Sequence, residues 1–181
     1  MSREKAALAV ATANRERALL QGTDWLSGYS LYIGVPFCPS ICRSCSFGSH
    51  PRKQWESLMD PYLAALKTEL GFVADQMKGR PLHTVYIGGG TPTTLPPEKL
   101  KDLLDFLEGT FPLGQVREFT VEAGRPDTIT EEKLRVLKAG PVSRISINPQ
   151  TMNQKTLDLI GRKHTVEETE EAFALARKLG F

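Results

Sequence analysis

The chain has 181 residues, of which 40% are hydrophobic and 24% are charged, and its formal net charge is +2. These values are ordinary for a soluble globular protein, and the length suits one domain. The small net charge gives no support to nucleic acid or anionic lipid as a partner. No apolar run approaches the ~18 residues of a membrane span, so we expect none.

Residues 1–27 are expected to form an N-terminal helix and a linker, followed by the main domain at 28–181. Good helix formers over 3–21, with Ser2 as the cap, predict this helix. The apolar stretch 6–13 faintly resembles a signal peptide. It is mostly alanine and continues into the charged run 15–17, so we interpret it as an ordinary helix. Without an export signal and with reduced cysteines, the protein is expected to be cytoplasmic.

Helix and strand signals alternate through the rest of the chain. Short apolar runs rich in β-forming residues predict strands at 31–36, 84–87, 116–121 and 144–147. Periodicity and capping signals predict helices at 54–77, 97–108, 130–138, 153–160 and 166–179, with Thr130 as the cap of the third of them. The first of these helices is expected to bury a stripe of Leu58, Tyr62, Leu66, Leu70 and Val73. The second is expected to bury Leu100, Leu103, Leu104 and Leu107.

This alternation indicates βα units, a parallel sheet and an α/β fold. About four such units make a partial TIM-like (β/α) barrel. Gly180 and Phe181 resemble a helix end followed by the first residue of a fifth strand, so the chain is expected to stop before that strand. With its last strand unpaired, the chain alone is expected to be inactive or prone to aggregation.

The unusual segments of the chain all follow predicted strands. They are the cysteine run 38–45, the Gly-Gly-Gly-Thr-Pro sequence 88–92, Glu122, and the Asn-Pro-Gln sequence 148–150. In parallel α/β folds, ligands bind at the carboxyl ends of the strands. We therefore expect these segments to form one site.

Cys38, Cys42 and Cys45 are the three cysteines of the chain, and they form a C-x3-C-x2-C run. Three thiolates on one short loop can hold a single inorganic centre. A four-iron, four-sulfur (4Fe-4S) cluster normally takes four cysteine ligands, so three would leave one iron open to a small chelating molecule. A zinc site with His50 as the fourth ligand is disfavoured because no second pair of cysteines follows. An odd count and neighbouring positions disfavour a disulfide or scattered inert thiols.

The other candidate residues each have a simpler alternative. The glycine run 88–90 would let backbone groups approach a ligand, but alone it is equally typical of a tight turn. It matches neither a Walker loop nor a dinucleotide fingerprint. Glu122 and Gln150 end strands and offer hydrogen-bonding groups, and Arg162 could bind a carboxylate through both sides of its guanidinium. Alone, Glu122 would more often be a solvated strand end, and Arg162 a surface arginine. His164 is expected to be structural or on the surface.

Together these segments resemble the radical S-adenosylmethionine (SAM) superfamily, and more narrowly the oxygen-independent coproporphyrinogen III oxidase-like family, in its coproporphyrinogen dehydrogenase branch. Three segments carry the resemblance: Leu-Tyr-Ile-Gly-Val-Pro-Phe-Cys at 31–38, His-Thr-Val-Tyr-Ile-Gly-Gly-Gly-Thr-Pro-Thr at 83–93, and Arg-Ile-Ser-Ile-Asn-Pro-Gln-Thr-Met-Asn at 144–153. The similarity covers about residues 28–181, so this region would be the N-terminal part of a radical SAM core.

The resemblance implies a 4Fe-4S cluster on the three cysteines and SAM on its open iron. Positions that match the SAM contacts of the family are Tyr32, Ser44, Gly89, Gly90, Thr91, Glu122, Gln150 and Arg162. The implied activity is oxidative decarboxylation of two propionates of coproporphyrinogen III to vinyl groups, giving protoporphyrinogen IX in heme biosynthesis. A tetrapyrrole substrate and a reducing electron donor would be the partners.

Two positions depart from the family. Ser44 stands where the family usually has an aromatic residue, so that only backbone contacts to the adenosyl group would remain there. Phe47 stands where the best-known oxidases carry a fourth cysteine that does not bind the cluster. Relatives with the same motifs include heme chaperones and a heme-degrading radical SAM methyltransferase, and both functions stay open at this point.

Overall fold

The computed structural model describes residues 2–22, 24, 26–43, 45–46 and 48–181. Its α-helices are α1 (Arg3–Gln21), α2 (Arg52–Trp55), α3 (Met59–Gln76), α4 (Pro97–Thr110), α5 (Glu131–Ala139), α6 (Gln154–Leu159) and α7 (Val166–Lys178). Its strands are β1 (Tyr29–Val35), β2 (Phe37–Cys38), β3 (His50–Pro51), β4 (Leu82–Gly89), β5 (Glu118–Glu122) and β6 (Arg144–Ser146). Short 3-10 turns occupy Glu56–Leu58, Pro92–Thr94, Leu113–Gln115 and Pro126–Thr128.

In the described part of the chain, a parallel sheet is formed by four strands in the order β1-β4-β5-β6. Ile33 pairs with Ile87, and Val121 pairs with both Ile87 and Ile145, so the carboxyl ends of all four strands meet at one edge. At least one helix lies between each of these four strands and the next one in the sheet, as is usual for parallel pairing. The predicted α/β fold with a partial set of parallel βα units is therefore confirmed, whereas the division into 1–27 and 28–181 stays a prediction.

The two faces of the sheet differ in polarity. Alternate residues of the strands, such as Leu31, Ile33 and Phe119, are buried beneath the helices. The opposite face carries Tyr32 and Tyr86, which are at least partly exposed. Because side chains alternate across a strand, this pattern directs the polar row toward the inside of the partial barrel.

The buried faces of the two long helices match the sequence prediction unequally. In α4, all four predicted leucines, from Leu100 to Leu107, are buried. In α3, Leu66 and Leu70 are buried as expected. Leu58 is exposed, which contradicts the prediction, because it ends a 3-10 turn before α3 begins and so does not share the helical period. Met59 and Leu63 complete the buried stripe instead.

The predicted helix starts are confirmed where a cap was identified. The Ser2 hydroxyl accepts a hydrogen bond from the Lys5 amide, and the Thr130 hydroxyl accepts one from the Lys133 amide. Among the described residues, none of the helices combines the length and the apolar character that a membrane crossing requires.

β2 and β3 were not predicted from the sequence. Phe37 and Cys38 pair in parallel with His50 and Pro51, so the two ends of the segment that carries the cysteines lie side by side. The amide of His50 donates to the carbonyl of Pro36 at 2.7 Å. This small pair sits directly beyond the end of β1 and defines a closed cysteine loop, residues 39–49.

Candidate functional site

The glycine loop, residues 88–91 at the end of β4, is joined by its backbone to the chain just before the cysteine loop. Gly90 donates from its amide to the carbonyl of Val35, and Thr91 donates to the carbonyl of Phe37, both at 2.8 Å. The Thr91 hydroxyl also lies 3.4 Å from the sulfur of Cys38. The first cysteine is thereby fixed against the end of β4.

The glycines of this loop are required by local geometry. Gly89 has a φ of 105°, in the region that favours glycine. A Cβ atom on Gly90 would lie 2.8 Å from the carbonyl oxygen of Phe37 and 2.9 Å from the carbonyl carbon of Pro36. Gly90 therefore allows the loop to approach the backbone before Cys38, a packing role that the sequence analysis did not distinguish from ligand approach.

One cavity of about 360 Å³ opens at the carboxyl edge of the sheet. The predicted site residues that line it are Tyr32, Cys38, Cys42, Cys45, Gly89, Gly90, Thr91, Glu122, Gln150 and Arg162. Ser44 and Phe47 lie outside the described residues. The structure thus brings together every predicted site residue that it describes.

The three cysteines differ in how deeply they are buried. Cys38 is buried, Cys42 is half-buried and Cys45 is exposed. Burial raises the pKa of the Cys38 thiol, and the Thr91 hydroxyl and Arg125 partly oppose that shift. Among the described residues, no three His, Cys, Asp or Glu side chains form a group suited to a single metal ion. His50, the fourth ligand of the zinc alternative, packs against Trp55 with ring centroids 4.8 Å apart.

Two arginines face this cavity. Arg162 donates from Nη1 to the carbonyl of Gly124 at 3.4 Å, and burial lowers its pKa. Within the described residues, its buried Nε has no hydrogen-bond partner. Arg125, which the sequence analysis missed, has an Nη1 atom 3.6 Å from the Cys42 sulfur. This side of the cavity offers cationic donors, an N–H without a partner among the described residues, and three thiols. It therefore suits an anionic group, such as a thiolate-bound cluster with a carboxylate ligand.

Tyr32 lines another side of the cavity, and Tyr86 stacks on it. The rings of Tyr32 and Tyr86 stack with centroids 5.9 Å apart and an interplanar angle of 13°. The Tyr86 hydroxyl donates to the Glu122 carboxylate at 2.6 Å. That hydrogen bond raises the pKa of Tyr86 to about 12. Tyr86 was also missed, although it alternates in β4 with the buried Val85 and Ile87 and so belongs to the inward face.

Residues after β6 and after α6 line a further side of the cavity. Gln150 has a φ of 62°, and its amide donates to the side-chain oxygen of Asn148 at 2.9 Å. His164 is buried beneath this turn, with Nε2 at 3.4 Å from the carbonyl oxygen of Pro149. Its packing position agrees with the structural role expected for it.

Residues 32–181 match the family model of the Radical SAM superfamily. Among curated proteins, the oxygen-independent coproporphyrinogen-III oxidase-like protein HemZ of Bacillus subtilis is 44% identical over 154 residues, which is 83% of this chain and 31% of that protein. The heme chaperone HemW of Bacillus subtilis is 39% identical over 153 residues, 84% of this chain and 40% of that one.

A solved structure, that of coproporphyrinogen III oxidase (HemN) from Escherichia coli, described as a radical SAM enzyme, superposes with a TM-score of 0.76 and 30% identity. The superposition covers 86% of this chain and 35% of that one. The chain spans about a third of the length of the relatives that it matches. The family match over 32–181 and the shared fold lead to one conclusion: the chain belongs to the radical SAM superfamily.

Proposed function

We propose that this chain is part of a radical SAM oxidoreductase that converts coproporphyrinogen III to protoporphyrinogen IX. The observation that carries the proposal is one cavity at the carboxyl edge of the parallel sheet, where three thiols and the candidate SAM contacts meet. HemN, named as this oxidase, and HemZ, named as like it, give the substrate class.

The cysteines would hold a 4Fe-4S cluster, and the remaining lining residues would hold SAM. When bound, this pair supplies a one-electron cleavage of SAM that yields a hydrogen-abstracting carbon radical. Arg162 would pair with the SAM carboxylate, and the lack of a partner for its Nε among the described residues supports this role. Glu122, oriented by Tyr86, would accept from an amine or a ribose hydroxyl. Burial of Cys38 would keep water from one side of the cluster.

The proposal is tested by anaerobic reconstitution with iron and sulfide. The expected result is about four irons per chain and a spectral change on addition of SAM, both abolished when all three cysteines are replaced by alanine. A wild-type chain that takes up no iron–sulfur cluster would contradict the proposal.

A heme chaperone is the second candidate, because a relative 39% identical to this chain is named as one. The two functions differ in their products. With SAM and a low-potential electron donor, an oxidase forms vinyl groups on coproporphyrinogen. A chaperone binds heme tightly and forms no vinyl product. Full-length protein should be used in both assays, because the chain spans about a third of these relatives.

A further inference from the structure

Arg125 is a buried cation with a defined anionic partner. It is 2% exposed. Its Nε donates to one carboxylate oxygen of Asp127 at 3.0 Å, and its Nη2 donates to the other at 2.9 Å. A buried guanidinium is costly unless it is paired, and this bidentate contact offsets that cost.

The opposite edge of the same guanidinium faces the cysteine loop. Nη1 donates to the carbonyl of Ser40 at 3.4 Å, and Nη2 donates to the Ser40 hydroxyl at 3.2 Å. Nη1 also lies 3.6 Å from the sulfur of Cys42. Arg125 therefore bridges the loop after β5 to the cysteine loop, with its positive charge beside a cysteine.

A buried polar network fixes the backbone that carries Arg125. The Thr128 hydroxyl donates to the carbonyl of Arg125 at 2.7 Å and lies 2.6 Å from the Thr93 hydroxyl. Lys133 donates to the carbonyls of Thr93 at 2.6 Å and Thr128 at 3.0 Å. The Arg125 loop is thus tied to the 3-10 turn that follows the glycine loop. The backbone carbonyl of Arg125 is therefore fixed by this network, while its guanidinium contacts the cysteine loop.

We propose that Arg125 is a positioning residue with two effects. It holds the Ser40–Cys42 stretch in the conformation that binds the cluster, and its charge beside Cys42 raises the reduction potential of that cluster. The second effect rests on the cluster function proposed above. One-electron reduction adds a negative charge to the cluster, and a nearby cation in a poorly solvated site stabilises the added charge. Asp127 opposes the effect, because it neutralises part of the arginine charge.

Four variants separate these effects. Arg125→Gln removes the charge, Arg125→Lys keeps the charge without the planar fork, and Asp127→Asn removes the opposing charge. Arg135→Gln is the matched control, because Arg135 is exposed and pairs with Glu131 along α5. Circular dichroism establishes that each variant is folded, and Arg125→Lys and Asp127→Asn carry the test if Arg125→Gln does not fold.

The first measurement needs no cluster. In cluster-free protein, the rate of alkylation of Cys42, followed by mass spectrometry, should rise severalfold in Arg125→Gln and in Arg125→Lys, but not in Arg135→Gln. The loop is released in both Arg125 variants because both lose the two contacts to Ser40. An unchanged rate in both variants would overturn the positioning role.

The second measurement is a mediated redox titration of the reconstituted protein, followed by electron paramagnetic resonance. At a fixed potential, the ratio of reduced to oxidised cluster should fall about tenfold in Arg125→Gln, a shift of about 59 mV for a one-electron couple. It should rise in Asp127→Asn and stay near the wild-type value in Arg125→Lys. Shifts of the same sign in Arg125→Gln and Asp127→Asn, or no shift in either, would overturn the electrostatic role. Wild-type protein that takes up no cluster would contradict the proposed function instead, while the alkylation result would still decide the positioning role.

Discussion

The phenol of Tyr86 donates a 2.6 Å hydrogen bond to the carboxylate of Glu122 across the β4–β5 pair. Both side chains belong to the inward face of the sheet, and the ring of Tyr86 also stacks on Tyr32. A predicted SAM contact on β5 is therefore oriented by a residue of the neighbouring strand.

Replacement of Tyr86 by phenylalanine should weaken SAM binding while leaving the fold intact. The ring stack is kept, but Glu122 loses the donor that orients it. Removal of one partly exposed hydrogen bond to a charged group costs about 1 kcal/mol, which is about fivefold in the dissociation constant. Titration calorimetry of the reconstituted protein measures the change. Tyr29→Phe, at the opposite end of β1, is the matched control, and equal affinities in the two variants would count against the orienting role.

The same hydrogen bond should appear in the pH dependence of stability. The pKa of Tyr86 is raised from 10.0 to about 12, chiefly because Glu122 accepts from the neutral phenol. Above pH 10, the unfolded chain loses this proton while the folded chain keeps it, so the stabilisation present below pH 10 is lost as the pH rises toward 12. In urea denaturation, the wild type should lose more stability than Tyr86→Phe over this alkaline range. Parallel curves for the two proteins would contradict the prediction.

Gly90→Ala should disrupt the contact between the glycine loop and residues 36–37, which precede the cysteine loop. Its Cβ would meet backbone atoms of Pro36 and Phe37 at 3.0 Å or less, and backbone cannot turn aside as a side chain can. We expect a loss of roughly 1–3 kcal/mol in the free energy of unfolding, together with poorer cluster uptake. Gly109→Ala is the control, because nothing lies within 4 Å of a Cβ at that position in α4. A Gly90→Ala protein as stable as the control would show that the loop can move away from β2.

His164 should make the protein sensitive to acid. Burial lowers its pKa below the ordinary 6.5, and the neighbouring Arg162 acts in the same direction. As the pH falls through 6.5, the unfolded chain takes up a proton that the folded chain resists, so the stability present above pH 6.5 decreases. His164→Gln should lose less stability than the wild type between about pH 7.5 and about pH 5.5 in urea denaturation. Equal losses of stability in His164→Gln and the wild type over this range would refute the assignment to His164.

The parts of the fold with a clear period were predictable from the sequence. The four leucines of α4 follow the helical spacing and form one buried face. Leu58 was misassigned because the period was extended through a 3-10 turn, where the spacing changes. The β2–β3 pair has two residues in each strand, which is too short for any alternation to be recognised.

The site residues that could be predicted are those with ligating or hydrogen-bonding side chains at the ends of predicted strands. The cysteines, Glu122 and Gln150 each follow or end a strand, and parallel pairing brings such positions to one edge. Arg125 was not predictable in the same way, because its partners in the cysteine loop are 83 to 85 residues away along the chain. An isolated arginine carries no sequence signal for such a contact. Tyr86 could have been predicted, because period-two alternation in β4 places it on the inward face.

The β2–β3 pair has a consequence for how the cysteines meet a cofactor. Backbone pairing of β2 with β3 joins the two ends of residues 39–49. The entropic cost of bringing these ends together is therefore met when the protein folds. Less chain disorder then remains to be lost when a ligand arrives, and preorganisation of this kind favours tight binding. We therefore expect cofactor binding to require little further ordering at the two ends of this segment.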